Sequence, residues 1–319
     1  MAAKAVKKIG FGLVALLVLL ALTIVVFRSP DIPVKELLPL YANADSRFLP
    51  MDGMEVHYRD VGPRSDRFPL VMIHGTASSL HTWDSIVKRF PGKRCISMDL
   101  PGFGLTGPHP RRTYDAASYT AFLHSFLQAL KVDSPIIAGN SLGGFIAWNY
   151  AAGHPAVKAL VLLDPAGFPL GSQHSNLGFR IARIPVLNQL LKYITPKSIV
   201  RKSAEQSYGN KWLVNDVLVD RYYNLTLREG NRQALIDRLS KEADVDTSLL
   251  NKIQMPTLII WGELDQVVPF SHLENFKRHM PHASIATFQG VGHVPMEEAP
   301  DSVALTLRKW LPLATGTKQ

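Results

Sequence analysis

The chain has 319 residues, of which 46% are apolar and 19% are charged, and these proportions are ordinary for a folded globular protein. They exclude a disordered chain, and a single cysteine, Cys95, excludes an internal disulfide. The formal net charge is +9, but no aromatic and basic interleaving accompanies it, so we expect no nucleic-acid partner.

The first predicted element is a membrane-spanning helix at the N-terminus. Ile9 to Phe27 form an uncharged run rich in Leu, Val and Ala, just long enough at helical rise to cross a hydrocarbon core. Lys4, Lys7 and Lys8 precede this run, and the positive-inside rule then places the N-terminus in the cytoplasm. We therefore predict a transmembrane anchor at residues 1–28, with the rest of the chain on the opposite side of the membrane.

Two other interpretations of this segment stay open. A cleaved signal peptide shares the charged start and the apolar run, although the nearest small-x-small site, Ala21-Leu-Thr23, lies inside the run. A buried core helix is the second. If the helix is retained, it also offers a surface for homodimerisation.

The next segments are a connector and the beginning of an α/β domain. Residues 29–46 are predicted to be a juxtamembrane connector that contains a short helix, Val34 to Tyr41, whose leucines either pack on the domain or lie in the lipid interface. From residue 47 onward, short apolar runs alternate with helical periodicity, which is typical of a mainly parallel sheet covered by helices. Asp52-Gly53 is expected to be a hairpin turn. The candidate buried strands are Leu70 to Ile73, Cys95 to Asp99, Pro135 to Ala138, Leu160 to Leu163 and Thr257 to Trp261. Ile285 to Phe288 is a further apparent strand, and the candidate helices are Tyr119 to Leu130 and Leu142 to Ala152.

Residues 171–245 interrupt this alternation and are predicted to be an inserted helical cap. They contain several amphipathic stretches and no clear strand, so residues 47–170 and 246–319 form the core domain around them. Between residues 171 and 204 there are six basic side chains and no acidic one. This cationic face is either a solvated surface or a surface attracted to anionic lipid headgroups.

The motif Gly139-Asn-Ser141-Leu-Gly143 predicts a nucleophilic serine. It follows an apolar strand and precedes a helix, which is the context of the nucleophile elbow. The serine must sit on a tight turn, and side chains at positions 139 and 143 would collide with the neighbouring strand and helix. Ser141 is therefore the predicted nucleophile.

A serine hydroxyl needs a base that is oriented by a third group. Gly290-Val-Gly292-His293 places a histidine in a glycine-bounded loop after the last strand, and Asp265 lies in the turn after Thr257 to Trp261. We predict His293 as the general base and Asp265 as the acid that orients it, in the chain order Ser, Asp, His that the elbow requires. Asp164 and Glu263 are alternative acids, and His74 is expected to be a structural hydrogen-bonding residue.

The oxyanion of an acyl-transfer intermediate requires two backbone N–H donors. Leu142, directly after the serine and at a helix start, supplies one. The loop His74-Gly75-Thr76-Ala77 supplies the other, from Thr76 or, as second choice, from Ala77. We predict Thr76 and Leu142 as the oxyanion hole, and the chemistry requires no metal and no organic cofactor.

The sequence resembles the α/β-hydrolase superfamily from about residue 47 to residue 313. The motifs His74-Gly75 and Asp99-Leu-Pro-Gly-Phe-Gly104, the Ser141 elbow, and the turns of Asp265 and His293 carry this resemblance, in this order. It implies a mostly parallel eight-stranded sheet flanked by helices. The N-terminal helix, connector and cap are similar to bacterial membrane-anchored esterases and phospholipases A of the Pseudomonas type. That likeness implies an inner (cytoplasmic) membrane location, a periplasmic catalytic domain, and membrane lipids as partner and substrate.

The expected function is hydrolysis of carboxylic esters, with lipid esters as the substrate that the resemblance implies. Three alternatives stay open. One is a hydrolase of small esters, and another is a carbon–carbon bond hydrolase of ring-cleavage products, because Gly-Asn-Ser at the elbow also resembles that group. The third is a membrane-tethered binding module with an inactive hydrolase fold, since fold alone does not establish function.

Overall fold

The structure is a computed structural model, and it describes residues 27–170, 184, 187–240 and 245–316. The predicted anchor lies outside these residues apart from its last two, Phe27 and Arg28. Within the described ranges, no helix combines the length and the hydropathy that a bilayer crossing requires.

The described strands form one eight-stranded sheet in the order β1-β2-β4-β3-β5-β6-β7-β8. The first two pairings, β1 with β2 and β2 with β4, are antiparallel, and all the others are parallel. The strands are β1 (Ser46–Met51), β2 (Met54–Val61), β3 (Leu70–Ile73), β4 (Cys95–Met98), β5 (Ile136–Asn140), β6 (Ala159–Leu163), β7 (Thr257–Gly262) and β8 (Ser284–Phe288). This is the mostly parallel eight-stranded sheet that was expected.

Helices connect the parallel strands and cover the sheet. The α-helices are α1 (Val34–Tyr41), α2 (Asp84–Val87), α3 (Ala116–Ala129), α4 (Leu142–Gly153), α5 (Leu187–Leu190), α6 (Lys197–Ser207), α7 (Asp216–Leu227), α8 (Asn231–Leu239), α9 (His272–His279), α10 (Pro295–Glu298) and α11 (Pro300–Thr315). Short 3₁₀ turns occupy Leu80–Trp83, Lys211–Leu213 and Thr247–Lys252. In the described part of residues 171–245, the regular structure is helical and lies between β6 and β7.

The central strands β3 to β7 are short and mainly apolar because both faces of the sheet are covered there. Alternate residues of each strand point to opposite faces, so Val71 and Ile73 join one hydrophobic cluster while Leu70 and Met72 join the other. Cys95 belongs to the second cluster, where burial raises the pKa of its thiol to about 12. The cysteine is therefore a small apolar side chain of the core, as expected from its strand.

The connector packs on the helices between β6 and β7. The Ile32 N–H donates to Leu227 O at 2.8 Å, and the Glu229 N–H donates back to Ile32 O at 3.0 Å. On α1, Leu37 is buried against Leu105 and Leu225. This segment is thus attached through both backbone hydrogen bonds and an apolar contact.

Candidate active site

Ser141 occupies the sharp turn between β5 and α4. Its backbone has φ 54° and ψ −114°, a conformation that costs free energy for a residue with a side chain. A Cβ on Gly139 would overlap the carbonyl of Gly143, and a Cβ on Gly143 would overlap the carbonyl of Ile73. The two glycines are therefore required for the close approach of helix and strand, as the sequence predicts.

Asp265 and His293 form a buried hydrogen-bonded pair. The His293 Nδ1–H donates to Asp265 Oδ2 at 2.7 Å. The other carboxylate oxygen accepts the backbone N–H groups of Val267 and Val268 at 2.7 and 2.9 Å. With Nδ1 committed to Asp265, the imidazole offers its Nε2 to a substrate or nucleophile.

Ser141 and His293 line the same cavity, and their loops are tied together directly. The side-chain amide of Asn140 donates to His293 O at 2.9 Å and to Leu163 O at 3.2 Å. The His293 N–H donates to Ser207 O at the end of α6, at 2.7 Å. The histidine loop is therefore fixed both to the serine turn and to the helices above the sheet.

The predicted oxyanion donors flank the serine. Leu142 is the first residue of α4, so its N–H has no acceptor within the helix. Thr76 and Ala77 line the cavity beside Ser141, and Ala77 has φ 57°. A Cβ on Gly75 would lie 3.2 Å from Ser141 Cβ, so this loop runs close to the nucleophile. The assignment of Thr76 and Leu142 as the two donors stays a prediction.

The alternative acids take different positions. Asp164 is fully buried after β6 and accepts the Gly262 N–H at 2.9 Å, whereas Glu263 is exposed. Burial, and then the neighbouring carboxylate of Asp265, raise the pKa of Asp164 well above its ordinary value. Burial therefore favours the protonated form of Asp164, and Asp265 is the carboxylate bonded to the histidine.

Oxygen atoms of Asp164 and Asp265 and a ring nitrogen of His293 lie within 4.8 Å of one another, a spacing that suits a cation. A cation requires deprotonated ligands. The raised pKa of Asp164 favours the protonated carboxyl, and the His293 Nδ1–H is directed at Asp265. The donor set therefore fits a proton-bearing pair better than a metal site.

His74 holds the oxyanion loop. Its Nδ1–H donates to Gly75 O at 2.7 Å, and its Nε2 accepts the Leu100 N–H at 3.0 Å. The ring is fully buried, and this burial lowers the pKa of the imidazole. These contacts suit the structural role expected from the sequence.

The cavity above Ser141 is roofed mainly by apolar side chains. The polar residues that line it from residues 187–240 are Thr195, Ser203, Ser207, Tyr208, Tyr222, Thr226 and Arg232. Its larger apolar residues are Leu191, Ile199, Val200, Leu235, Ile236, Val267 and Val294. Sequence reasoning did not find the roles of Asn140, Ser207 and Tyr222. Asn140 could have been found from its position next to the nucleophile. Ser207 and Tyr222 lie far from the motifs in sequence, so no pattern pointed to them.

A second buried carboxylate, Glu297, joins the histidine loop to the helices above it. We call Glu297 and its four hydrogen-bond donors the Glu297 cluster. The donors are Thr82, Tyr208, Arg221 and Tyr222. Burial alone would raise the pKa of Glu297, but the charge of Arg221 and these hydrogen bonds lower it. Glu297 is therefore an anion four residues after His293, paired with a cation from α7.

Comparison with known proteins places the chain in a family. It matches the family described as alpha/beta hydrolase fold over residues 69–300. It is 30% identical over 252 residues to lipase 1 of Psychrobacter immobilis, which covers 74% of this chain and 74% of the lipase. It is 25% identical over 249 residues to 2-hydroxy-6-oxononadienedioate/2-hydroxy-6-oxononatrienedioate hydrolase 2 of Pseudomonas putida, which covers 75% of this chain and 85% of that hydrolase.

Among solved structures, a membrane phospholipase A described as a bacterial virulence factor aligns over nearly the whole chain. The TM-score is 0.73 at 25% identity, and the match covers 97% of this chain and 99% of that one. The chain belongs to the α/β-hydrolase family, and its relatives support a hydrolase of the lipase and esterase type.

Proposed function

We propose that this protein is a membrane-anchored serine hydrolase that cleaves carboxylic esters of lipids. The observation that carries the proposal is the arrangement of three side chains. A strained serine, Ser141, shares a cavity with His293, whose Nδ1–H is bonded to Asp265. Such an arrangement activates a hydroxyl that is otherwise a poor nucleophile.

The reaction proceeds through an acyl-serine. His293 Nε2 takes the Ser141 hydroxyl proton while the oxygen attacks the ester carbonyl, and the N–H groups of Thr76 and Leu142 stabilise the oxyanion. The carbon–oxygen bond to the alcohol breaks, and the alcohol leaves with the proton from His293. A water molecule then gives a proton to His293 and attacks the acyl carbon. The bond between the acyl carbon and Ser141 Oγ breaks, His293 returns the proton to Oγ, and the acid is released.

Three features support a lipid ester. The surface of the cavity is mostly apolar, which suits an acyl chain. The relatives include a lipase and a membrane phospholipase A. The apolar run Ile9 to Phe27 would keep the catalytic domain at a bilayer. We place the chain in the inner membrane with this domain in the periplasm.

The chemistry is tested with a fluorophosphonate probe on the full chain. We expect covalent labelling that is absent in Ser141→Ala, and persistent labelling of that variant would refute the assignment of the nucleophile. The substrate is tested by fatty-acid release from phospholipid vesicles and by an acyl-chain series. Activity confined to acetate and butyrate esters would leave a small-ester hydrolase.

One second candidate has its own support. The Gly-Asn-Ser elbow and the similarity to the Pseudomonas putida hydrolase favour cleavage of a carbon–carbon bond in a ring-cleavage product. Turnover of a vinylogous diketone acid at a rate above that of medium-chain esters would favour this reaction over ester hydrolysis.

A further inference from the structure

The turn between α6 and α7 carries an exposed apolar patch. Trp212 is 95% exposed, and Leu213 and Val217 are 41% and 80% exposed. We call these three residues the Trp212 patch. An indole that is almost wholly in water gives up the burial of a large apolar surface, so such a side chain at a turn calls for an explanation.

The exposure of the patch is a fixed property of the fold. The Asn210 side-chain oxygen accepts the backbone N–H of Trp212 at 3.1 Å, and the backbone N–H of Asn210 donates to the Glu298 carboxylate at 2.7 Å. Arg201 on α6 donates to Val214 O at 3.1 Å. The turn is therefore held to the core domain and to its own helix while its apolar side chains face outward.

The surroundings of the patch are cationic. Lys211, next to the indole, is exposed, and Lys202 is exposed on α6. Between residues 192 and 217 there are five Lys or Arg side chains and two acidic ones, Glu205 and Asp216, of which Asp216 is paired with Arg201, so this segment carries a net positive charge. An exposed tryptophan beside apolar and cationic side chains is complementary to the interface of an anionic bilayer, where indole and ammonium groups both find partners.

The patch lies at the opposite end of a helical hairpin from the connector. The Ser29 hydroxyl donates to Thr195 O at 3.1 Å, just before α6 begins, and Ile32 bonds to Leu227 at the end of α7. The Trp212 patch lies between the other ends of α6 and α7. The 11 residues of α6 span roughly 16 Å at helical rise. The connector, which follows the proposed anchor, attaches one end of the hairpin to the bilayer, and the Trp212 patch would attach the other end. The hairpin would then lie along the bilayer surface.

In this orientation, the helix that lies on the bilayer also forms part of the cavity wall. Ile199, Ser203 and Ser207 of α6 line the cavity, whereas Lys202 on the same helix is exposed. We propose that the Trp212 patch is an interfacial docking surface that inserts into an anionic phospholipid bilayer and lays the α6/α7 hairpin on it. The proposal rests on the proposed membrane location and is independent of the bond that Ser141 cleaves.

Insertion is tested with the full chain in proteoliposomes of phosphatidylcholine and phosphatidylglycerol with brominated acyl chains, which quench indoles that enter the bilayer. The chain has five tryptophans. Trp83, Trp148 and Trp261 are fully buried, and Trp310 donates a hydrogen bond to Ser284. We expect quenching of the wild type that is lost in Trp212→Phe.

The result that would overturn the proposal is a Trp212 emission that aqueous iodide quenches and brominated lipid does not. Protection of Trp212 from both quenchers would also overturn it, because the patch would then be covered by protein. A charge reversal at Lys211→Glu should weaken lipid quenching in vesicles with phosphatidylglycerol and leave it unchanged in phosphatidylcholine alone. Equal weakening in both lipids would show that docking does not depend on anionic headgroups.

A second experiment uses a matched control. Leu213→Ser with Val217→Ser should lower hydrolysis of vesicle lipid about tenfold, because two apolar side chains are lost from the interface. Hydrolysis of a soluble butyrate ester should not change. Leu313→Ser removes an equally exposed side chain on α11 and should change neither rate. An equal loss with Leu313→Ser would contradict the docking surface.

The two proposals fail in different ways. If vesicle lipid is not hydrolysed but Trp212 is quenched by brominated lipid, the docking surface stands and the lipid substrate fails. If lipid is hydrolysed and Trp212 stays in water, the substrate stands and the docking surface fails.

Discussion

Ser141 combines a strained backbone with the position of a nucleophile, and its two partners lie more than 120 residues further along the chain. Each of the three residues belongs to a local motif: an elbow with glycines, a turn after a strand, and a glycine-bounded loop. Sequence reasoning could find them because each motif is complete within a few residues. Asn140, Ser207 and Tyr222 escaped it because their roles depend on contacts between distant segments.

The roles of the three residues predict a graded loss of activity. Ser141→Ala and His293→Ala should each lower kcat/KM for a butyrate ester by several orders of magnitude. Asp265→Asn should lower it by roughly 10⁴ or less, because the serine and the base remain while the imidazole loses the acceptor that fixes its tautomer. Far-UV circular dichroism checks that each variant is folded. Full activity of Asp265→Asn would contradict the assignment of the acid.

Asp164 predicts a distinct pH dependence of stability. Its pKa is raised in the folded state by burial and by Asp265, so the native state holds a proton that the unfolded chain releases above about pH 4. This group therefore makes the free energy of unfolding fall as pH rises toward the folded pKa. Asp164→Asn cannot ionise, and its stability relative to the wild type should increase from pH 4 to pH 8 in urea denaturation.

Asp164→Asn also distinguishes the roles of Asp164 and Asp265 in an activity assay. The amide oxygen of an asparagine at position 164 can still accept the Gly262 N–H. We therefore expect Asp164→Asn to keep activity within about threefold of the wild type, well above Asp265→Asn. A loss as large as that of Asp265→Asn would make Asp164 part of the proton relay.

At the scale of elements, the sequence predicts the sheet better than the helices above it. The buried strands and the helices α1, α3 and α4 are found within about three residues of their predicted bounds, because short apolar runs and helical periodicity are local signals. The helices α5 to α8 are predicted only as amphipathic stretches without bounds, since packing on the core domain decides where they begin and end.

The reason for a glycine at position 292 is visible only in the structure. The sequence suggests that the glycines near His293 free the loop to aim the ring. Gly290 does have φ 78°, but a Cβ on Gly292 would lie 2.5 Å from Gly209 N and 2.6 Å from Ser207 O. Gly292 thus allows the histidine loop to pack directly against the end of α6.

The Glu297 cluster predicts that one carboxylate holds several elements together. Glu297→Ala leaves Arg221 and two tyrosine hydroxyls without their partner, and we expect the free energy of unfolding to fall by about 3 kcal/mol. Urea denaturation of the detergent-solubilised chain measures this change. The control is Glu274→Ala, whose ion pair with Lys277 is exposed and is worth about 0.5 kcal/mol or less.

The effect of Glu297 should also depend on pH. Its pKa is lowered in the folded state, so its stabilisation is present above the unfolded value of about 4.3 and is lost as pH falls through the folded pKa. The difference between wild type and Glu297→Ala should therefore be largest near pH 7 and shrink in acid. A difference that is constant from pH 7 to pH 3 would show that the charge is not its source.

At the scale of the whole molecule, the order of motifs predicts the family but not the attachment of the connector. The connector was expected to pack on the domain or to lie in the lipid interface, and in the structure it packs on α7 and bonds to the segment before α6. No sequence pattern could decide this, because Leu37 and its neighbours suit both environments.

The proposed anchor predicts the behaviour of the chain in cell fractionation. The full chain should remain with membranes in alkaline carbonate, because an apolar helix holds it, and removal of residues 1–26 should release it from that fraction. The shortened chain should keep its activity on soluble butyrate esters. Release of the full chain by carbonate would leave a removed leader or a core helix as the explanation of the N-terminal run.

The contacts of the connector set the smallest fragment that should be stable in solution. Asp31 forms an ion pair with Arg232, which lines the cavity, and Ser29 bonds to Thr195, which also lines it. Truncation at residue 46, where the sheet begins, would uncover Leu225 and leave Arg232 without its carboxylate partner in the cavity wall. A recombinant fragment should therefore start at residue 27, and a purification tag between residues 27 and 33 should be avoided.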